Sequence, residues 1–117
     1  MSAYRRIATS VRSGVTIVRF TETKITDPAR IEELSRELTQ LVDAEHPSKL
    51  LLNFDKVDYL SSEALRVFLL LQKKMQSRGG MLKLCNVAPE IFQVFEITGL
   101  NKLFDIRPTE VDALSEF

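Results

Sequence analysis

Apolar and polar residues follow two different periods along this chain, and the change of period separates strands from helices. Ile7–Val11 and Val15–Phe20 are rich in β-branched residues. Ser13 and Gly14 lie between them as a turn signal, so this part of the chain predicts a β-hairpin. From Pro28 onwards the apolar residues recur every three or four positions, which predicts an amphipathic helix.

Short apolar runs then alternate with helical segments. Lys49–Phe54 and Met81–Cys85 are too short for helices and lack regular alternation, so they predict strands covered on both faces. Ser62–Ser77 and Pro89–Thr98 carry apolar residues at helical spacing, and glycines follow both segments. The pattern therefore predicts two more helices, each of which follows or precedes a buried strand.

The order of these elements predicts the fold class. The first helix has Asp27 as a candidate cap and ends near His46. A short strand at Leu103–Ile106 and a helical turn at Thr109–Leu114 complete the pattern. Strands that alternate with helices form βαβ units around a largely parallel sheet. We expect an α/β fold with a mixed sheet, an N-terminal hairpin followed by a βαβα order, in a single domain of residues 1–117.

Composition and charge exclude several classes of function. The chain has 117 residues with 16 basic and 16 acidic side chains, so it lacks the positive charge that nucleic-acid binding usually needs, and we expect no direct nucleic-acid partner. One cysteine and one histidine, Cys85 and His46, are too few for a usual zinc site. Cys85 lies in an apolar run and is predicted to be a packed thiol. No catalytic set is present in the pattern, so we expect neither an enzyme nor a bound metal or cofactor.

The chain also shows no signal for a membrane. Its longest continuous apolar run is Val67–Leu71, far below the roughly 20 residues that span a bilayer. The N-terminal residues lack the apolar stretch of a signal peptide. We therefore expect a cytoplasmic protein without a membrane partner.

The informative segment is the crossing from the strand at Leu50–Phe54 to the helix at Ser62. In open α/β sheets, functional groups gather beyond the carboxyl ends of the strands. The hydroxyl of Ser61 or Ser62 can cap the helix N-terminus. Alternatively, a phosphate on a serine there would meet free backbone N–H groups and the positive end of the helix dipole, and its charge would act on whatever docks. The spacing leaves both interpretations open.

Three stretches resemble the STAS domain of the bacterial anti-sigma factor antagonist type: Val57–Val67, Arg78–Val87 and Val94–Phe104. The resemblance implies a mixed sheet with helices packed mainly on one face. It also implies that an anti-sigma factor serine kinase phosphorylates Ser62, with Ser61 as the secondary choice, and that a cognate phosphatase reverses the reaction. The unmodified form would bind the anti-sigma factor and so free a sigma factor.

The same resemblance marks side chains around the serine as partner-binding candidates. They are Asp27, Asp58, Tyr59, Ser61, Glu63 and Arg66. Glu63-Ala64 departs from the family, which usually has a small or hydroxyl residue followed by glycine. Glu63 either disfavours the docking of a kinase-bound nucleotide or is only a favourable acid in the first helical turn. The alternatives to a phospho-switch are an interaction module that is not phosphorylated, or a domain that carries a nucleotide or lipid.

Overall fold

The computed structural model describes residues 4–117. Residues 1–3, which belong to the predicted domain and to the terminal segment in which no signal-peptide pattern was expected, lie outside the described residues. The strands are β1 (Ile7–Arg12), β2 (Val15–Phe20), β3 (Lys24–Ile25), β4 (Lys49–Asn53), β5 (Tyr59–Leu60), β6 (Met81–Cys85) and β7 (Asp105–Arg107). The helices are α1 (Pro28–Glu45), α2 (Ser62–Ser77), α3 (Pro89–Thr98) and α4 (Glu110–Ser115), with a 3₁₀ turn at Leu100–Lys102.

Five of these strands form a mixed sheet in the order β1-β2-β4-β6-β7. The β1-β2 hairpin is antiparallel, and all the other neighbours in this sheet are parallel. Its turn places Ser13 at φ 53° and Gly14 at φ 77°, the left-handed conformation that tight hairpins require at both central residues. The predicted hairpin and mixed α/β sheet are confirmed.

The two faces of the sheet carry different layers. Along β4, Leu50 and Leu52 face the large core formed with α1, α2 and α3, whereas Leu51 faces the opposite side. There it packs in a smaller cluster with Cys85 and with Ala113 of α4. This alternation follows from the two-residue period of a strand. The helices therefore lie mainly on one face, as expected, and among the helices of residues 4–117 only α4 covers the other.

Two features differ from the predicted elements. β3 and β5, which pair with each other in parallel as a separate two-stranded sheet, were not predicted. The predicted strand at Leu103–Ile106 is wrong in its first half, because the 3₁₀ turn leads into a bend that buries Phe104 and leaves Leu103 exposed. β7 therefore begins at Asp105.

Candidate functional site

The pairing of β3 with β5 brings the starts of two helices to the same edge of the fold. In this parallel pair Ile25 lies opposite Leu60. Asp27 follows Ile25 by two positions and immediately precedes α1. Ser62 follows Leu60 by two positions and is the first residue of α2. Because parallel strands run in the same direction, both helix N-termini leave the small sheet side by side. The sequence pattern does not indicate this pairing, since two-residue strands are too short to show a period.

Ser61 is the residue that caps α2. Its backbone is extended, with φ −82° and ψ 167°, and its Oγ accepts a hydrogen bond from the N–H of Ala64 at 3.3 Å. Its carbonyl oxygen accepts the N–H of Leu65 at 3.1 Å. The side chain is half-buried. The structure thus assigns the capping role, which the sequence left open between two serines, to Ser61.

Ser62 is the first residue of α2 and is exposed. Within residues 4–117 its hydroxyl has no hydrogen-bond partner. The first turn of a helix has backbone N–H groups that lack intrahelical acceptors, and these groups together with the helix dipole favour a negative charge. The geometry therefore leaves the Ser62 hydroxyl accessible to solvent at a position where a phosphate is electrostatically compatible with the helix.

Asp27 is the cap residue of α1, the role that Ser61 has in α2. Its Oδ2 accepts the N–H of Arg30 at 3.1 Å, and its backbone is extended, as a cap requires. Capping explains its presence. Its carboxylate is exposed at the same edge of the fold as Ser62.

Asp58 and Tyr59 lead into the serine pair and are both exposed. An Oδ1 of Asp58 lies 3.4 Å from Nζ of Lys24 on β3, but both side chains are more than 60% exposed, so this ion pair contributes little stability. The Tyr59 side chain is 56% exposed. An aromatic ring so open to solvent is available to a partner.

Glu63 and Arg66 are exposed on the first turns of α2. Arg66 lies four residues after Ser62 and three after Glu63, a spacing that places all three on neighbouring positions of one helix face. No ion pair of Glu63 or Arg66 occurs in the part of the chain that the structure describes. Of the partner-binding candidates, only Ser61 is partly buried.

A shallow groove beside this segment was not found from the sequence. It has a volume of about 80 Å³ and lies between β5, the start of α2 and α3. Its lining residues are Asp58, Tyr59, Leu60, Leu65, Glu90, Ile91 and Val94. Because these residues come from distant parts of the chain, only the apolar side of α3 could have indicated the groove from the sequence.

The remaining sequence candidates lie away from this edge. Cys85 is fully buried, and burial raises the pKa of its thiol to about 12, with Glu110 adding to the effect, so the predicted packed thiol is confirmed. His46 ends α1 in a left-handed conformation, and its Nδ1 lies 3.1 Å from Nη1 of Arg78. Residues 4–117 contain no cluster of three metal-ligating side chains, and none of their helices is long and apolar enough to cross a membrane.

Two curated proteins are similar to this chain over most of its length. BtrV of Bordetella bronchiseptica is 33% identical over 93 residues, which cover 80% of this chain and 79% of that protein. The anti-sigma F factor antagonist of Paenibacillus polymyxa is 29% identical over 106 residues, which cover 88% and 86% of the two chains.

Solved structures show the same fold. An anti-sigma factor antagonist from Mycobacterium paratuberculosis superposes with a TM-score of 0.81 at 24% identity, over 94% of this chain and 91% of that chain. The Bacillus cell fate determinant SpoIIAA in its phosphorylated form gives a TM-score of 0.70 at 17% identity, over 94% and 97%. The model of the STAS domain family matches residues 6–113. The chain therefore belongs to the STAS domain family, and its relatives include proteins named as anti-sigma factor antagonists.

Proposed function

We propose that this chain is an anti-sigma factor antagonist that is switched by phosphorylation of Ser62. The unmodified form binds an anti-sigma factor serine kinase, the kinase adds a phosphate to Ser62, and a phosphatase removes it. The name of the Paenibacillus polymyxa relative supports the antagonist role. The phosphorylated form of SpoIIAA supports a modification on this fold.

The observation that carries the proposal is the division of roles between the two serines. Ser61 caps α2 and is half-buried, whereas Ser62 is exposed and its hydroxyl is not needed for the cap. Within residues 4–117, the Ser62 hydroxyl makes no hydrogen bond that stabilises the helix. It can therefore be modified without unfolding the helix, because the helix dipole favours the added negative charge. We therefore place the phosphate on Ser62 rather than on Ser61.

The effect of the phosphate is electrostatic. It adds about −1.5 to −2 charges at neutral pH to an edge where Asp27, Asp58 and Glu63 already expose carboxylates. A partner surface that fits the neutral hydroxyl would have to accommodate this charge and its hydration. Phosphorylation would therefore weaken binding without changing the fold.

Intact-mass measurement with the kinase and ATP tests the proposal. The unmodified chain should gain the mass of one phosphate, Ser62→Ala should gain none, and Ser61→Ala should still gain it. Ser62→Asp should weaken kinase binding by at least about tenfold, the effect of about 1.4 kcal/mol, while Ser62→Ala binds like the parent chain. A mass gain that persists in Ser62→Ala would rule out Ser62 as the acceptor.

The exposed carboxylate of Glu63 favours a second candidate function, that of an interaction module that is not phosphorylated. This carboxylate directly follows the serine and can repel the phosphates of a bound nucleotide. If it does, Glu63→Ser should accelerate phosphorylation; if Glu63 only supports the helix, the rate should be unchanged. A partner whose binding is unaffected by Ser62→Asp would identify the module instead.

We do not extend the proposal to a nucleotide or lipid carried in the groove beside Tyr59. The groove beside Tyr59 has a volume of about 80 Å³. Pockets for small molecules usually measure about 300–1,000 Å³. Native mass spectrometry of the purified chain checks this point, since a carrier would retain a bound small molecule.

A further inference from the structure

The groove between β5 and α3 lies directly beside the segment that carries Ser62. Its apolar floor is formed by the buried side chains of Leu60, Leu65 and Ile91. Its walls include Tyr59, which is 56% exposed, and Val94, which is 39% exposed. An apolar groove with open walls and a volume of about 80 Å³ has the size of a single side chain from a partner protein.

An exposed apolar strip continues the groove along α3. Val94 and Ile97 are spaced three residues apart, so they lie on the same side of this helix. Ile97 is 85% exposed, the highest value among the large apolar side chains of residues 4–117. Single exposed apolar residues are normal on protein surfaces. Here Val94 lines an apolar groove and Ile97 lies about one turn further along the same helix, an arrangement typical of an interaction surface.

The border of the groove is acidic. Asp58 and Glu90 are the charged side chains among its lining residues. Asp58 has only the weak exposed ion pair with Lys24, and no ion pair of Glu90 is found within residues 4–117. A complementary partner would therefore present lysine or arginine around an apolar side chain.

We propose that this groove is a second docking site for the kinase, occupied by an apolar side chain that is flanked by basic residues. The inference rests on the proposed function, since it concerns the same partner. The groove is lined by residues other than Ser62, and the contact between the groove and the partner's side chain is largely apolar. Its contribution to affinity is therefore separate from the phosphate on Ser62.

Binding assays with the purified kinase test the groove. Ile97→Asn and Glu90→Lys should each weaken binding to the unmodified chain by about tenfold, the effect expected of a central interface residue. Val111→Asn is the matched control, because Val111 is 73% exposed on α4, on the opposite face of the sheet, and it should bind like the parent chain. Circular dichroism confirms that each variant is folded. Unchanged affinity of both Ile97→Asn and Glu90→Lys would overturn the proposal.

The same assays separate this proposal from the phospho-switch. If Ser62→Asp weakens binding and the groove variants do not, the groove proposal fails and the switch stands. If Ile97→Asn weakens binding and Ser62→Asp does not, the switch fails and the groove stands.

A peptide titration tests the groove without the kinase. The probe is a helical peptide with leucines flanked by lysines, and its binding is followed by nuclear magnetic resonance of the full chain. Amide signals of Tyr59, Ile91 and Val94 should shift, and a peptide with glutamates in place of lysines should bind at least about tenfold more weakly. No shift at these residues, or an equal response to both peptides, would overturn the proposal.

Discussion

At the scale of single residues, two adjacent serines have separate tasks. Ser61 accepts the N–H of Ala64 and begins α2, whereas the hydroxyl of Ser62 points to no hydrogen-bond partner in residues 4–117. Both residues have the same chemistry, so the difference arises from backbone conformation. Ser61, just before the first helical turn, is extended, and its hydroxyl can accept a free N–H of that turn. Because of this division, the Ser62 hydroxyl is not needed for the helix cap and is available for modification.

The two serines should therefore differ in their effect on stability. Ser61→Ala removes a cap and should lower the free energy of unfolding by about 1 kcal/mol. Ser62→Ala removes an exposed hydroxyl and should change it by less than about 0.5 kcal/mol. Urea denaturation of both variants measures the difference. Equal losses in the two variants would contradict the assignment of the cap to Ser61.

At the scale of elements, the C-terminal helix α4 depends on its docking to the sheet. Its six residues are too few for a stable isolated helix. Glu110 accepts hydrogen bonds from Arg12 at 2.8 Å and from Asn53 at 2.9 Å, and it also pairs with Arg19. Ala113 packs on the smaller core cluster. One mostly buried carboxylate thus joins α4 to three strands.

Removing that carboxylate should loosen α4 and expose the thiol beneath it. Glu110→Ala leaves Asn53, which is buried, without an acceptor, which should cost about 1–3 kcal/mol in the free energy of unfolding. In the parent chain, burial raises the pKa of Cys85 to about 12, so the thiol is protonated and protected at neutral pH. Thiol modification with Ellman's reagent should be faster in Glu110→Ala, because the thiol becomes more accessible and loses a carboxylate that helps to raise its pKa. Glu32→Ala, an exposed position on α1, is the control and should react at the parent rate.

An unchanged modification rate in Glu110→Ala would show that α4 stays docked without the carboxylate. The hydrophobic contact of Ala113, and the Lys83 ammonium 5.1 Å from the ring centroid of Phe117, would then suffice to hold the end of the chain.

At the scale of the whole molecule, one aromatic cluster connects the sheet to the candidate site. Phe20 at the end of β2, Phe54 after β4 and Phe68 on α2 lie with ring centroids 4.9–5.5 Å apart. Two of the three contacts are close to edge-on, an arrangement that aromatic rings favour. Since Phe68 is on the helix that Ser62 begins, the cluster positions the site relative to the sheet.

Two substitutions on α2, one at a buried and one at an exposed side chain, should have very different effects on the free energy of unfolding. Phe68→Ala removes a fully buried ring and should lower the free energy of unfolding by about 3–5 kcal/mol. Leu70→Ala, at a side chain that is 54% exposed, should change it by less than about 0.5 kcal/mol. Thermal and urea unfolding measure both. A small effect of Phe68→Ala would show that the aromatic cluster is not central to stability.

Much of the fold was predictable because its signals are local. The helix start at Pro28, the helices at Ser62–Ser77 and Pro89–Thr98, and the hairpin turn all depend on caps, periods and turn residues that lie within a few positions of each other. Leu103–Phe104 was assigned wrongly because a short apolar run is compatible with more than one conformation. The 3₁₀ turn before it decided the outcome.

By itself, the sequence determined the order of the main elements, the position of Ser62 at a helix start and the family to which the chain belongs. Only the tertiary structure decided that Ser61 is the cap, that β3 pairs with β5, and that α3 completes a groove beside Tyr59. The physical reason is range: helical periods and caps are set by neighbours along the chain, whereas a strand pair of two residues and a groove between three elements exist only through contacts between distant segments.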